Sequence, residues 1–404
     1  MLRVYRDSLE SVQSNCLESY HSAKYVSASL NDFRRLGFKL ESVDRFDGVG
    51  LYIIDLAHNP AWWSGLSNNP DVSKIHVLKN ISDKVLSLCR DKKLRIVLDC
   101  HEGGPVIKKD SFDCFKELTI KMSELRLPAG SVILLAGNAI LEEQYNKWLS
   151  ENSFNKLFDV MYSSPLLNFY FADKSIRRPL ILDALKDDAS KNFNSLNRSY
   201  RPHRGAHLYR CLKDDLLDQG LVSGNVIKYS DKDTEKLLGE GYGDLIDHFP
   251  KYLDGDWTTD NPADKLNTSI FKQSLLTVVT ESQFINESVN LSEKIFRPMY
   301  AGHPLIVFGA KGYLKSLKKM GFAVTFCNID PSYNEVTDPK NRFDETQKIL
   351  YDWCNLSKGK KIKLIINSMD SIIHNYNYIR SKNFYRQKIM ELVKRSEKYF
   401  MEVV

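Results

Sequence analysis

Short apolar runs closed by a polar residue or a glycine punctuate the chain. Gly50-Leu-Tyr-Ile-Ile-Asp55, Leu94-Arg-Ile-Val-Leu-Asp99 and the run from Gly130 to Gly137 are nearly continuous in apolar residues, as parallel strands are when both faces are covered. Residues 83–90 and 112–125 carry helical spacing between them. This rhythm predicts a parallel sheet with right-handed crossovers. The second half repeats it, with strands expected at 192–196, 226–229, 275–280, 305–308 and 323–326. The fold class expected is α/β, with two Rossmann-like domains at residues 1–185 and 186–380 and a terminal helical segment at 381–404. The boundary is placed after Arg177-Arg178-Pro179.

Composition agrees with this division. A chain of 404 residues exceeds one ordinary core, and 43% hydrophobic with 27% charged residues excludes wholesale disorder. No apolar run approaches the roughly 20 residues that span a bilayer, and Met1-Leu-Arg-Val-Tyr-Arg6 lacks the apolar stretch of a signal peptide. A soluble, cytoplasmic protein is therefore expected. Seven scattered cysteines without a Cys-x-x-Cys spacing point to neither a disulfide framework nor a zinc module.

Open α/β sheets bind ligands at the carboxyl ends of their strands. In the first half, Asp99-Cys-His101-Glu102-Gly-Gly-Pro105 follows a strand and supplies Asp99, His101 and Glu102 as candidate general bases; a turn cap is the structural alternative. Asp55-Leu-Ala-His58-Asn-Pro-Ala-Trp62-Trp63 offers His58 and two flat rings on which a sugar or base can stack, or which can pack in a core. Asn138 ends the third strand as an acceptor ligand or a helix cap.

The segment from Thr277 to Gly309 says most. Thr277-Val-Val-Thr-Glu281 reads as a buried strand, Ser292-Glu293-Lys294 as a helix start and Pro304-Leu-Ile-Val-Phe-Gly309 as a second strand. Two glutamates at neighbouring element ends can accept the hydroxyls of a ribose. Lys294 and the helix N-terminus offer positive charge to a diphosphate. Upstream, Arg201-Pro-His203-Arg204 precedes an amphipathic run, and its arginines can grip phosphate oxygens.

These residues, with Lys311-Gly312-Tyr313, Gly321-Phe322, Ser332-Tyr333 and Arg342 after them, resemble the donor-binding half of GT-B glycosyltransferases, in particular the fucosyltransferase-like and exostosin-like groups and their bacteriophage relatives. The matches cover roughly residues 190–350. The resemblance implies two Rossmann-like domains with parallel sheets facing a central cleft, a terminal helix crossing back to the first domain, and nucleotide-sugar-dependent transfer to an acceptor hydroxyl. It implies donor binding by Arg201, His203, Arg204, Glu281, Glu293 and Lys294; acceptor binding by His58, Trp62, Trp63 and Asn138 is expected from their chemistry at the strand ends of the first half. Eleven residues lie between Glu281 and Glu293, whereas retaining members of the family place seven between their glutamates. No Asp-x-Asp closes an apolar strand, Asp254-Gly-Asp256 lying in a polar turn, and no metal or cofactor is expected.

Charge is the clue to the acceptor. Residues 357–404 hold eleven Lys and Arg against four Asp and Glu in a chain of net charge +6. Tyr376, Tyr378, Phe384, Tyr385, Tyr399 and Phe400 are interleaved with them, as in a surface that follows a polyanion and stacks on its bases. A solvated helix face with aromatics packed beneath it is the structural alternative. The phage resemblance implies DNA with hydroxylated pyrimidines as acceptor, in a host cytoplasm. A surface glycan, or a non-catalytic nucleotide- or DNA-binding protein, are the other readings.

Overall fold

The computed structural model describes residues 3–6, 40–42, 48–55, 81–100, 112–162, 176–197, 199–224, 232–238, 266–285 and 288–401, with residues 46, 78, 108–109, 249 and 253. The chain divides into two compact units, residues 1–165 with 385–404, and residues 166–384. Each is built on a parallel sheet, so the expected α/β class holds.

Among the described residues the parallel sheet of the first unit has six strands: β1 (Arg3–Arg6), β2 (Leu40–Ser42), β3 (Gly50–Asp55), β4 (Leu94–Cys100), β5 (Val132–Ala136) and β6 (Asp159–Tyr162), in the order β2-β1-β3-β4-β5-β6. Its central strands β3, β4 and β5 are mostly apolar because both faces are covered. Tyr52, Ile96, Leu98 and Leu134 pack beneath helices α1 (Asp83–Arg90), α2 (Cys114–Glu124) and α3 (Leu141–Asn152). Leu51, Ile53, Val97 and Leu135 meet Ile389, Leu392 and Val393 of the C-terminal helix Lys382–Met401. Arg95 pins that helix from within the sheet. It donates to Gly130 O at 2.6 Å and Ser396 Oγ at 3.3 Å, pairs with Asp159, and lies 5.1 Å from the centre of the Tyr399 ring.

The second unit carries β7 (Phe193–Asn197), β8 (Gly220–Gly224), β9 (Thr277–Thr280) and β10 (Leu305–Phe308), in the order β8-β7-β9-β10. Helices α4 (Ile181–Lys186), α5 (Pro202–Lys213), α6 (Lys232–Leu238), α7 (Thr268–Lys272), α8 (Glu293–Ala301), α9 (Tyr313–Lys319), α10 (Pro339–Asn355), α11 (Lys358–Asn367) and α12 (Met369–Arg380) accompany them. Residues 176–185, placed in the first domain by the sequence, belong to this unit. Leu180 N–H donates to Ala301 O at 2.7 Å and Tyr376 Oη–H to Ile176 O at 3.1 Å. Gly302 ends α8 at φ 65°, and a Cβ there would come within 2.6 Å of the Pro179 backbone.

One expected strand is corrected, and another lies outside the described residues. The strand before α6 is Gly220-Leu-Val-Ser-Gly224, whereas residues 226–229 lie outside the described residues. The Phe193 ring covers Gly220, where a Cβ would come within 2.4 Å. Residues 323–326 form no strand. The Asn375 amide takes both backbone groups of Ala323 at 2.8 Å, and Tyr333 Oη accepts the Val307 N–H at 3.0 Å on the edge of β10.

Candidate functional site

Strands β7, β9 and β10 end side by side and feed the first turns of α5, α8 and α9. Glu281 follows β9 directly and is fully buried. Its Oε1 accepts from Tyr313 Oη–H at 2.6 Å; its Oε2 accepts from Ser292 Oγ–H at 2.6 Å and Ser282 N–H at 3.3 Å. Burial raises the carboxyl pKa, against the opposing pull of Lys294, Ser292 and Tyr313. Its backbone N–H donates to Phe308 O at 2.9 Å, and its carbonyl accepts His203 Nε2–H at 2.7 Å.

The α5 residues divide in role. Arg204 is buried and spends its guanidinium on Ser199 O at 2.7 Å and Thr280 O at 2.9 Å. Burial lowers its pKa to about 10, with Glu281 opposing. His203 stacks on Phe284 at 5.1 Å, and burial brings its pKa down to about 3, so the ring is neutral. Both are thus fixed inside the fold by backbone carbonyls, where the resemblance implies donor binding. Arg201, which caps α5 in extended conformation, is exposed.

At α8, Ser292 caps the helix and accepts from Lys294 N–H at 3.3 Å and Lys294 Nζ at 3.2 Å. Lys294 Nζ also pairs with Glu293 Oε1 at 2.9 Å. Burial would raise the Glu293 carboxyl pKa, but Lys294, with Arg297 nearby, holds it below its ordinary value. Glu293 and Lys294 keep partial exposure at the helix start, where an anion is favoured. Tyr313 and Ser292, which the sequence did not single out as site residues, hold this arrangement together. Their contacts with Glu281 span 32 and 11 residues, and no local spacing announces them.

In the first unit, Asp99 ends β4 fully buried, opposite Asp55 on β3 and Leu135 on β5. A carboxylate so enclosed presents no surface to an acceptor hydroxyl. Asn138 is buried and acts at the turn into α3, donating to Gln144 Oε1 at 2.9 Å and accepting from Ile140 N–H at 3.3 Å. His58, Trp62, Trp63, His101 and Glu102 lie outside the described residues, as does the turn at 254–256. Among the described residues no group of three or more His, Cys, Asp or Glu is arranged to hold a metal.

The basic end is less open than its sequence suggests. Tyr376 and Tyr399 are buried, Tyr378 Oη donates to Met320 O at 2.8 Å, and Arg380 lies 4.0 Å from the centre of the Tyr300 ring. Lys361 is buried, donating to Asn192 Oδ1 and Cys354 O, each at 2.8 Å. The aromatics described there pack beneath the helices. Lys394 and Lys398 are exposed. Among the described residues no helix is long and apolar enough to cross a membrane.

No protein-family model and no curated protein matches the sequence. Solved structures similar to it include an alpha,alpha-trehalose 6-phosphate synthase from Burkholderia multivorans, at 10% identity and TM-score 0.42, covering 92% of this chain and 75% of that one. A trehalose-6-phosphate structure from E. coli bound with UDP-2-fluoro glucose gives 15% identity and TM-score 0.43 over 90% and 76%. The catalytic domain of starch synthase IV from Arabidopsis thaliana, bound to ADP and acarbose, gives 12% and 0.38 over 93% and 75%. The α/β assignment rests on the two parallel sheets themselves.

Proposed function

We propose that this chain is a GT-B-type glycosyltransferase that moves a sugar from a nucleotide-sugar donor to an acceptor hydroxyl, the donor being held at the strand ends of the second unit. The observation that carries this reading is the capped start of α8, where Glu293 and Lys294 stand paired and partly exposed beside the buried Glu281. Lys294 and the helix N–H groups meet the diphosphate, and Arg201 at the start of α5 adds a second cation. Glu293 accepts from the ribose hydroxyls. As the glycosidic bond breaks, negative charge grows on the departing diphosphate, and fixed cations lower that barrier most. The donor side then needs no metal ion.

A thermal-shift screen of the whole chain against UDP-, GDP-, ADP- and CMP-sugars tests the reading. One class should raise the melting temperature, and Lys294→Ala should abolish the rise. No shift with any class would sink it. Donor consumption in the presence of acceptor separates a transferase from a nucleotide-binding module. For the acceptor, hydroxylated pyrimidine DNA predicts turnover that falls steeply with salt and a flatter dependence once Lys394 and Lys398 are neutralised. Salt-independent turnover assigns a neutral glycan instead.

A further inference from the structure

The Glu281 carboxylate is fully buried and already accepts three hydrogen bonds, two from the side chains of Ser292 and Tyr313. We propose that Glu281 is a positioning residue: through the Ser292 hydroxyl it sets Lys294, and through Tyr313 it ties the start of α9, without touching the donor. This rests on the donor-site reading above and assigns Glu281 a different task from ribose recognition.

The argument is one of hydrogen-bond direction. A serine hydroxyl has one hydrogen and two lone pairs. In Ser292 the hydrogen points to Glu281 Oε2 at 2.6 Å, which leaves the lone pairs for Lys294 N–H at 3.3 Å and Nζ at 3.2 Å. Without an acceptor at Oε2 the hydroxyl turns elsewhere and Lys294 loses that partner. A glutamine can keep its oxygen towards Tyr313, but its amide nitrogen must then donate to Ser292, consuming a lone pair that Lys294 uses. The same stretch anchors α5 as well, since Glu281 O accepts from His203 and Thr280 O from Arg204. Two consecutive residues thus hold the first turns of three helices.

The test uses the full chain with Glu281→Gln, Ser292→Ala and Lys294→Ala, alone and combined, titrated with UDP, GDP and ADP by calorimetry. For whichever nucleotide binds the wild type, Glu281→Gln and Ser292→Ala should each weaken affinity about 5- to 30-fold, the loss of one or two charge-linked hydrogen bonds. Neither should weaken it further in the Lys294→Ala background, because both act through that lysine. Losses that add to that of Lys294→Ala would show direct contact and overturn the proposal. Hydrogen exchange at the amides of residues 293–296 needs no ligand. It should quicken at least about tenfold in Glu281→Gln and Ser292→Ala, and unchanged exchange overturns the proposal as well. If no nucleotide binds while exchange quickens, the donor reading fails and the positioning of α8 by Glu281 stands.

Discussion

Arg342 lies 4.8 Å from the centre of the Phe284 ring and donates Nη2–H to the carbonyl of that same residue at 2.6 Å. It also donates to Gly309 O at 3.3 Å and Val336 O at 2.6 Å. One guanidinium therefore fastens the segments after β9 and β10 to the turn that precedes α10. Burial lowers its pKa, and Asp338 partly restores it.

Replacing Arg342 by Met should leave those carbonyls without donors at a cost of about 2 to 4 kcal/mol. Urea unfolding would show this as a lower midpoint with an unchanged slope. A loss under about 0.5 kcal/mol would mean that water replaces the guanidinium and that it organises nothing.

What was legible in the sequence follows from how local each signal is. Leu305–Phe308 lies between Pro304 and Gly309 and is found where expected, because a buried strand needs only its own apolar run. Gly220–Gly224 was missed because its middle residues are few and the Phe193 ring replaces a side chain at Gly220. The 323–326 stretch looks like a strand yet gets its hydrogen bonds from Asn375, 52 residues away. The site divides in the same way. Glu293 and Lys294 are readable beside a helix cap, whereas the engagement of Arg204, His203 and Glu281 depends on carbonyls and hydroxyls brought by the fold. The resemblance and the element ends, which carry no record of those partners, are what assign them to the donor.

Three buried histidines set the acid response of the second unit. Burial lowers the pKa of His203 to about 3 and those of His207 and His303 to about 4, whereas in the unfolded chain each binds a proton near 6.5. Unfolding therefore takes up protons below that value. Stability should fall as pH drops from about 6.5 towards 4, by up to about 1.4 kcal/mol per pH unit for each histidine. Glu281, with its carboxyl raised, acts in the opposite sense above the usual carboxylate range. His207→Gln should reduce the slope by about one proton in urea titrations between pH 4.5 and 6.5. An unchanged slope would mean that His207 is protonated in the folded state.

Glu293→Ala should weaken nucleoside diphosphate binding by about 1 to 3 kcal/mol, the usual loss when hydrogen bonds to a charged group disappear. Calorimetry on the folded variant measures it. Equal affinity would remove Glu293 from the site and leave Lys294 and Arg201 to be tested alone.

On the proposed donor reading, turnover should persist in excess EDTA, because Lys294 and Arg201 would supply the positive charge that a divalent ion can otherwise provide to a departing diphosphate. Donor hydrolysis or transfer is the readout. Activity lost on chelation and restored by manganese would show that these cations are not sufficient.

If the chain is the transferase proposed, its general base is expected in the loop after β4, and Asp99 and its neighbours would then have different duties. Asp99 is fully buried between β3 and β5, so Asp99→Asn should act on the stability of the first unit. His101 and Glu102 follow it in sequence, beyond the buried strand end. Removing the base should lower turnover about 100- to 10,000-fold with donor affinity nearly intact, since deprotonation is needed only in the transition state. His101→Gln and Glu102→Gln, assayed separately for kcat and for nucleotide affinity, identify which residue it is. If both turn over normally while Asp99→Asn loses kcat without losing stability, a buried carboxylate would have to reach the acceptor. That outcome would reverse the division of labour argued for this loop.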